Sequence, residues 1–191
     1  SSALLDRLTL TPARIQGLQQ GLGDVRALRD PVGEVISRDV RPNGLQVEKI
    51  RVPLGVIFFI YESRPNVTLD AAALAIKSGN AIILRGGKEA YRTNRVLHRY
   101  ITEALIEAGL PGDAVQLVEQ SDRQLVKYLL QQEKYIDLAI PRGGESLIRT
   151  VAREAAMPVL KHYQGICHLY VDENADLEKA VRILINGKCQ R

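Results

Sequence analysis

Residues 55–90 read GVIFFIYESRPNVTLDAAALAIKSGNAIILRGGKEA, and the order of patterns inside them decides the fold. Val56–Tyr61 is a short continuous apolar run, as expected of a strand covered on both faces. Thr68–Lys77 fits a helix, and Ala81–Leu84 is a second apolar run that ends at a pair of glycines. The alternation then continues. Further strands are expected at Val115–Val118, Ile136–Ile140 and Pro158–Leu160, with helices at Glu89–Ala108, Arg123–Gln131 and Glu145–Ala156. Gly109, with Pro111 behind it, supplies the helix-ending glycine after the second of these helices. Short apolar strands separated by helices imply an α/β fold with a parallel sheet buried between helical layers. A strand at Cys167–Val171 and a helix near Asp176–Ile185 complete the pattern.

Upstream of Gly55 the chain has a different character. Residues 1–30 read as helix: Thr11-Pro12 fits an N-cap with proline in the first turn, and Ile15, Leu18, Leu22 and Val25 recur at helical spacing. Glu34–Val40 and Leu45–Val52 flank Pro42-Asn43-Gly44, which predicts a β-hairpin. A two-stranded ribbon is weakly stable alone, so a partner surface outside this chain is expected for it.

The composition narrows the classes. With 191 residues, 46% hydrophobic and 25% charged, the chain suits one ordinary domain, or a large one with appendages, and excludes disordered or collagen-like architectures. The longest apolar stretch, Val56–Ile60, is far short of the roughly 20 residues a membrane helix needs. No signal sequence opens the chain, and two cysteines are too few for a disulfide framework, so a reducing, cytoplasmic setting is expected. The net charge of +4 comes without a dense basic run, which argues against nucleic acid as a partner.

One motif occurs twice. Ile83-Leu84-Arg85-Gly86-Gly87-Lys88 and Ala139-Ile140-Pro141-Arg142-Gly143-Gly144 each leave an apolar strand and enter a helix. Ligands of doubly wound sheets gather at the carboxyl ends of strands. There, glycines admit close backbone approach, helix N-termini offer donors, and an arginine adds charge, which suits a phosphate-bearing ligand. A plain Gly-Gly turn with solvated arginines is the alternative, and the repetition favours the ligand. Neither G-x-G-x-x-G nor a Walker A loop is present, since Glu89 follows Gly87-Lys88. Between the two corners lies Tyr61-Glu62-Ser63-Arg64-Pro65-Asn66. Its Glu62, Arg64 and Asn66 could bind a polar substrate or polarise a carbonyl, while Pro65-Asn66 also suits an ordinary helix start. His162, Cys167 and His168 do not make a metal site, because consecutive strand residues point to opposite faces. Cys167, among apolar neighbours, is expected to be buried.

These stretches together resemble the gamma-glutamyl phosphate reductase family, the glutamate-5-semialdehyde dehydrogenases of proline biosynthesis within the aldehyde dehydrogenase superfamily. The resemblance runs from Leu5-Asp6-Arg7-Leu8 and Asp30-Pro31-Val32-Gly33 through Arg51–Gly55, Tyr61–Thr68, Lys77–Glu89 and Ile140–Gly144 to Gly165–Asp172. It implies an aldehyde dehydrogenase-like, Rossmann-type cofactor domain with a five-stranded parallel sheet. The implied layout is an N-terminal helical segment at 1–30, a bridging hairpin at 31–54, an NADP-binding α/β domain at 55–164 and the start of a catalytic domain at 165–191.

The resemblance also implies roles. Arg85, with Gly86, Gly87 and Lys88, falls where the superfamily meets the adenosine ribose, and a cation at Lys88 favours NADPH through its 2′-phosphate. Pro141, Arg142, Gly143 and Gly144 match the turn beside the pyrophosphate. Tyr61 and Ser63 belong to the stretch along the nicotinamide, Glu62 and Arg64 are assigned to substrate, and Asn66 is the oxyanion candidate. The implied reaction is NADPH-dependent reduction of L-glutamyl 5-phosphate to the 5-semialdehyde through a cysteine thioester. That cysteine is placed just beyond Asn186–Arg191, so this chain alone is expected to be inactive, and Cys189 is not the nucleophile. Lys161 stands near the superfamily's general-base glutamate, and Phe58 where bacterial relatives commonly carry glycine. The hairpin implies a homo-oligomer, and glutamate 5-kinase is a further implied partner. The competing reading is a non-catalytic nucleotide-binding or assembly module that keeps the fold without the chemistry.

Overall fold

The computed structural model describes residues 8–119, 122–162 and 167–189. The expected helix start at 1–7, the 163–164 part of the loop after Lys161, and Gly165 at the start of the last family stretch lie outside the described residues.

Helix α1 (Pro12–Ala27) begins as its sequence predicts. The Thr11 hydroxyl accepts the Arg14 N–H at 3.3 Å, and Pro12 stands where the first turn needs no donor. Strands β1 (Val35–Val40) and β2 (Gln46–Ile50) form the predicted antiparallel hairpin. Its turn is closed by the Arg41 N–H to the Leu45 carbonyl at 2.8 Å and by the Leu45 N–H to Asn43 Oδ1 at 3.1 Å. Every residue of both strands is exposed.

The remaining strands make one parallel sheet: β3 (Val56–Tyr61), β4 (Ala81–Arg85), β5 (Val115–Leu117) and β6 (Leu138–Arg142), in the order β5-β4-β3-β6. Helix α2 (Pro65–Lys77) joins β3 to β4, and α3 (Tyr91–Glu107) joins β4 to β5. Helix α4 (Arg123–Leu129) precedes β6, and α5 (Glu145–Glu154) follows it. The helix-ending glycine at Gly109 takes φ +75°, a conformation costly for any side-chain-bearing residue.

Alternation along β3 divides the core in two. Ile57 and Tyr61 face one side with Ile82, Leu84, Val115 and Leu105, covered by α2 through Ala71, Ala72 and Ala75. These alanines let helix and sheet approach closely. Phe58 and Ile60 face the other side with Leu130, Ile136, Ala139, Val151 and Met157. Phe58, whose setting the sequence leaves open, is wholly buried there.

Two expectations need correction. The expected fifth strand at Pro158–Leu160 is a single parallel bridge, Val159 to Ala139. Leu160 donates to the Ala139 carbonyl and Ala139 to the Pro158 carbonyl, each at 2.9 Å, but Pro158 has no N–H with which to extend the ladder. Cys167–Val171 is not a strand, and Cys167 is exposed, not buried. No described strand pairs with this segment, so its apolar residues have no sheet to face. Helix α6 (Leu177–Cys189) likewise has no buried residue.

Candidate functional site

The sheet grows from β3 outward through β4 to β5, then returns to the other side of β3 for β6. Strand order therefore reverses between β3 and β6, and the crevice beyond their carboxyl ends is where such folds hold ligands. A cleft of about 790 Å³ opens there, lined among others by Glu62, Arg64, Arg142, Gly143, Lys161 and His162. Tyr61 pairs with Arg142 in the parallel ladder, and the Glu62 N–H donates to the Arg142 carbonyl at 3.2 Å. The strand terminus at 61–64 and the corner at 141–144 are thus fastened side by side. Buried Pro141 lies on the sheet's outer strand, where a missing donor costs least.

Neither glycine pair has positive φ among the described backbone. Their role is close approach, and what approaches is protein. A Cβ on Gly143 would fall 2.8 Å from Glu62 Cγ and Oε1. The Gly144 N–H donates to Glu62 Oε1 at 2.7 Å, so the Glu62 carboxylate sits at the N-terminus of α5. At the other corner a Cβ on Gly87 would lie 2.5 Å from Ser63 Oγ, and one on Gly86 would lie 2.2 Å from Asn94 Nδ2. Adjacent residues of one segment, Glu62 and Ser63, therefore reach one corner each.

The β4 corner is charged as well. Burial lowers the pKa of the Arg85 guanidinium, Arg123 of α4 presses in the same direction, and Glu89 opposes both. The Ser63 hydroxyl donates to Glu89 Oε2 at 2.7 Å and, with the Glu89 N–H, Lys88 and Arg85, holds that carboxyl below the usual carboxylate range. Lys88 is exposed at the mouth of a 250 Å³ hollow that Tyr91, Asn94, Leu117 and Val118 also line. Arg85, Lys88 and Arg123 thus surround Glu89, and a second carboxylate of the hollow, Glu119, pairs with Arg95 at 3.5 Å.

Beneath it runs a buried polar chain. Thr68 Oγ1 donates to Asn94 Oδ1 at 3.1 Å, which spends its one proton, so the Tyr61 hydroxyl donates to Thr68 at 2.7 Å. Tyr61, Thr68 and Asn94 are all buried, and Tyr61 also lines the cleft. Burial pushes the Tyr61 pKa up to about 12, against a smaller opposing effect of Thr68. The folded form thus keeps a proton that the unfolded chain, at a pKa of 10.0, releases earlier. The stability this provides is complete below about pH 10 and lost as pH rises through about 12. A loss of about 2–3 kcal/mol is expected over that window. Urea unfolding across it should show the loss in wild type and not in Tyr61→Phe; equal slopes in the two proteins would disprove the assignment.

Asn66 lies in the first turn of α2, exposed, its Nδ2 donating to Asp70 Oδ2 at 3.1 Å. Pro65 opens that helix, as the ordinary helix-start reading expects, and Arg64 lines the cleft. Cys167 and Cys189 are both exposed, and neither lines the cleft. Among the described residues no group of three His, Cys, Asp or Glu side chains could hold a metal ion.

Four residues of the site escaped the sequence reading: Thr68, Glu89, Asn94 and Arg123. Asn94 left a signal, because it falls between Ala90 and Leu105 on the buried face of its helical segment, an odd place for an amide. Arg123 left none.

The aldehyde dehydrogenase family model matches residues 25–191. A gamma-glutamyl phosphate reductase of Desulfatibacillum aliphaticivorans is 58% identical over 191 residues, which are 100% of this chain and 46% of that protein. The crystal structure of a gamma-glutamyl phosphate reductase from Thermotoga maritima superposes with a TM-score of 0.90 at 47% identity, over 100% of this chain and 46% of that one. An engineered glycolyl-CoA reductase with bound NADP+ shares the fold, with a TM-score of 0.68 at 20% identity, over 98% of this chain and 48% of that one. The chain spans about half the length of the curated relatives it matches.

Proposed function

The chain belongs to the aldehyde dehydrogenase family, and from that premise we propose that it is the cofactor-binding part of a gamma-glutamyl phosphate reductase. The reaction is reduction of L-glutamyl 5-phosphate to L-glutamate 5-semialdehyde, a step of proline biosynthesis. In net terms the acyl carbon gains a hydride and loses its C–O bond to phosphate, and the departing phosphate takes a proton. The nicotinamide cofactor, when bound, supplies the hydride.

The donor set fits a phosphorylated dinucleotide. Arg85, Lys88 and Arg123 would hold the phosphorylated ribose end, while Arg142 and the start of α5 at Gly143–Gly144 would take the pyrophosphate. Tyr61–Arg64 lies between them, at the reversal point of the sheet. Asn66 keeps its assignment as donor to the reacting carbonyl oxygen, for which its Nδ2 must leave Asp70. Neither exposed thiol is assigned the nucleophile's role. The hairpin, with Val35, Ile36, Val40, Val47 and Ile50 all exposed, is assigned to contact with a second copy.

The observation that carries the choice of NADPH is the cluster of Arg85, Lys88 and Arg123 around Glu89 at the β4 corner, where the hollow's other carboxylate, Glu119, is paired with Arg95 at 3.5 Å. Calorimetric titration of the chain with NADPH and NADH tests it. Lys88→Glu should weaken NADPH by about 1.5–3 kcal/mol and leave NADH nearly unchanged. Equal losses for the two cofactors would remove the 2′-phosphate from this corner.

A further inference from the structure

The N-terminus of α5 already holds an anion. Glu62 Oε1 accepts the Gly144 N–H at 2.7 Å, and the Glu62 side chain lies flat on Gly143, where a Cβ would fall 2.8–2.9 Å from its Cγ, Cδ and Oε1. No side chain from α5 or its cap residue satisfies that end of the helix. A carboxylate at a helix N-terminus uses the same donor and the same partial charge as a phosphate oxygen. Two anions cannot share that donor, so a ligand phosphate that takes this position must displace Glu62.

The surroundings allow the exchange. The Glu62 side chain is exposed, and its backbone is tied independently, N–H to the Arg142 carbonyl at 3.2 Å, so rotation of the side chain alone empties the corner. Lys161 and His162 line the same cleft and offer the departing carboxylate a cationic and a polar neighbour.

We propose that Glu62 is an intramolecular stand-in for the ligand's phosphate, seated on Gly144 in the free protein and expelled when a diphosphate binds. Glu62 thereby sets the affinity of the corner: it keeps the glycine cradle ordered when empty and weakens every diphosphate ligand equally. The proposal rests on reading the α5 corner as the pyrophosphate corner, and it adds a residue that opposes binding there.

The test uses the full chain with three probes: NADPH, ADP, and adenosine 2′-monophosphate, which lacks the 5′-diphosphate. The variants are Glu62→Ala, Glu62→Gln and Arg142→Ala. Glu62→Gln keeps the shape and removes the charge, so it guards against a folding defect in the alanine variant. Both Glu62 variants should bind NADPH and ADP about tenfold more tightly and adenosine 2′-monophosphate as wild type does. Hydrogen exchange of the Gly144 amide in the free protein should be faster in Glu62→Ala. Unchanged or weaker ADP binding in both Glu62 variants, with ADP weakened by Arg142→Ala, would leave the corner as a phosphate site and overturn the stand-in role. If Arg142→Ala and both Glu62 variants all leave ADP binding untouched, the pyrophosphate reading of the corner falls, and the stand-in with it.

Discussion

Phe58→Ala is expected to destabilise the protein by about 3–5 kcal/mol, the largest effect of any single substitution considered. Phe58 is completely buried in the central strand, between Ile83 of β4 and Ala139 of β6 in the ladder. Its ring fills the layer formed by Leu130, Ile136, Val151 and Met157, and the methyl side chain of Ala139 beside it leaves the room it needs. Truncation opens a cavity that neighbours on fixed strands cannot close, so the lost transfer energy and the cavity cost add. The check is the urea unfolding free energy of the two proteins. A loss below about 1 kcal/mol would mean that this layer collapses around the gap, contrary to the packing described.

Gly86→Ala is expected to cost about 2–5 kcal/mol, by two routes that act together. The added methyl would lie 2.2 Å from Asn94 Nδ2 and 3.1–3.2 Å from the Tyr61 ring. Overpacking of this kind costs about 1–3 kcal/mol, and pushing Asn94 off Thr68 leaves buried polar atoms without partners, about 1–3 kcal/mol more. Asn94 is not a side chain with room to swing: it is 1% exposed and accepts the Thr68 hydroxyl. Thermal unfolding of Gly86→Ala measures the loss, and the Gly86→Ala/Asn94→Ala double variant should recover part of it by removing the clash. A double variant less stable than the sum of the two single losses would show that Asn94 is not what the methyl strikes.

The sequence alone determined the layers and the direction of the sheet. Val56–Tyr61 could be read as a strand covered on both faces because it is apolar at every position, and the helical spacings between apolar runs demand parallel crossovers. The two Arg-Gly-Gly corners and the hairpin turn were equally legible, since glycine, proline and asparagine act on the chain within a few residues. Tertiary structure alone decided what the glycines are for. Gly144 meets Glu62 across 82 residues, and Ser63 meets Glu89 across 26, contacts that exist because β6 and β4 flank β3. The same holds for Thr68 and Asn94 on two helices, and for Pro158–Leu160, where Pro158 and Pro141 of β6 both lack a ladder N–H and the expected strand is a single bridge. Side-chain periodicity records which face of an element is buried, because burial acts on each residue where it stands. It does not record which distant side chain arrives at that face, because that follows from the order in which the strands pack.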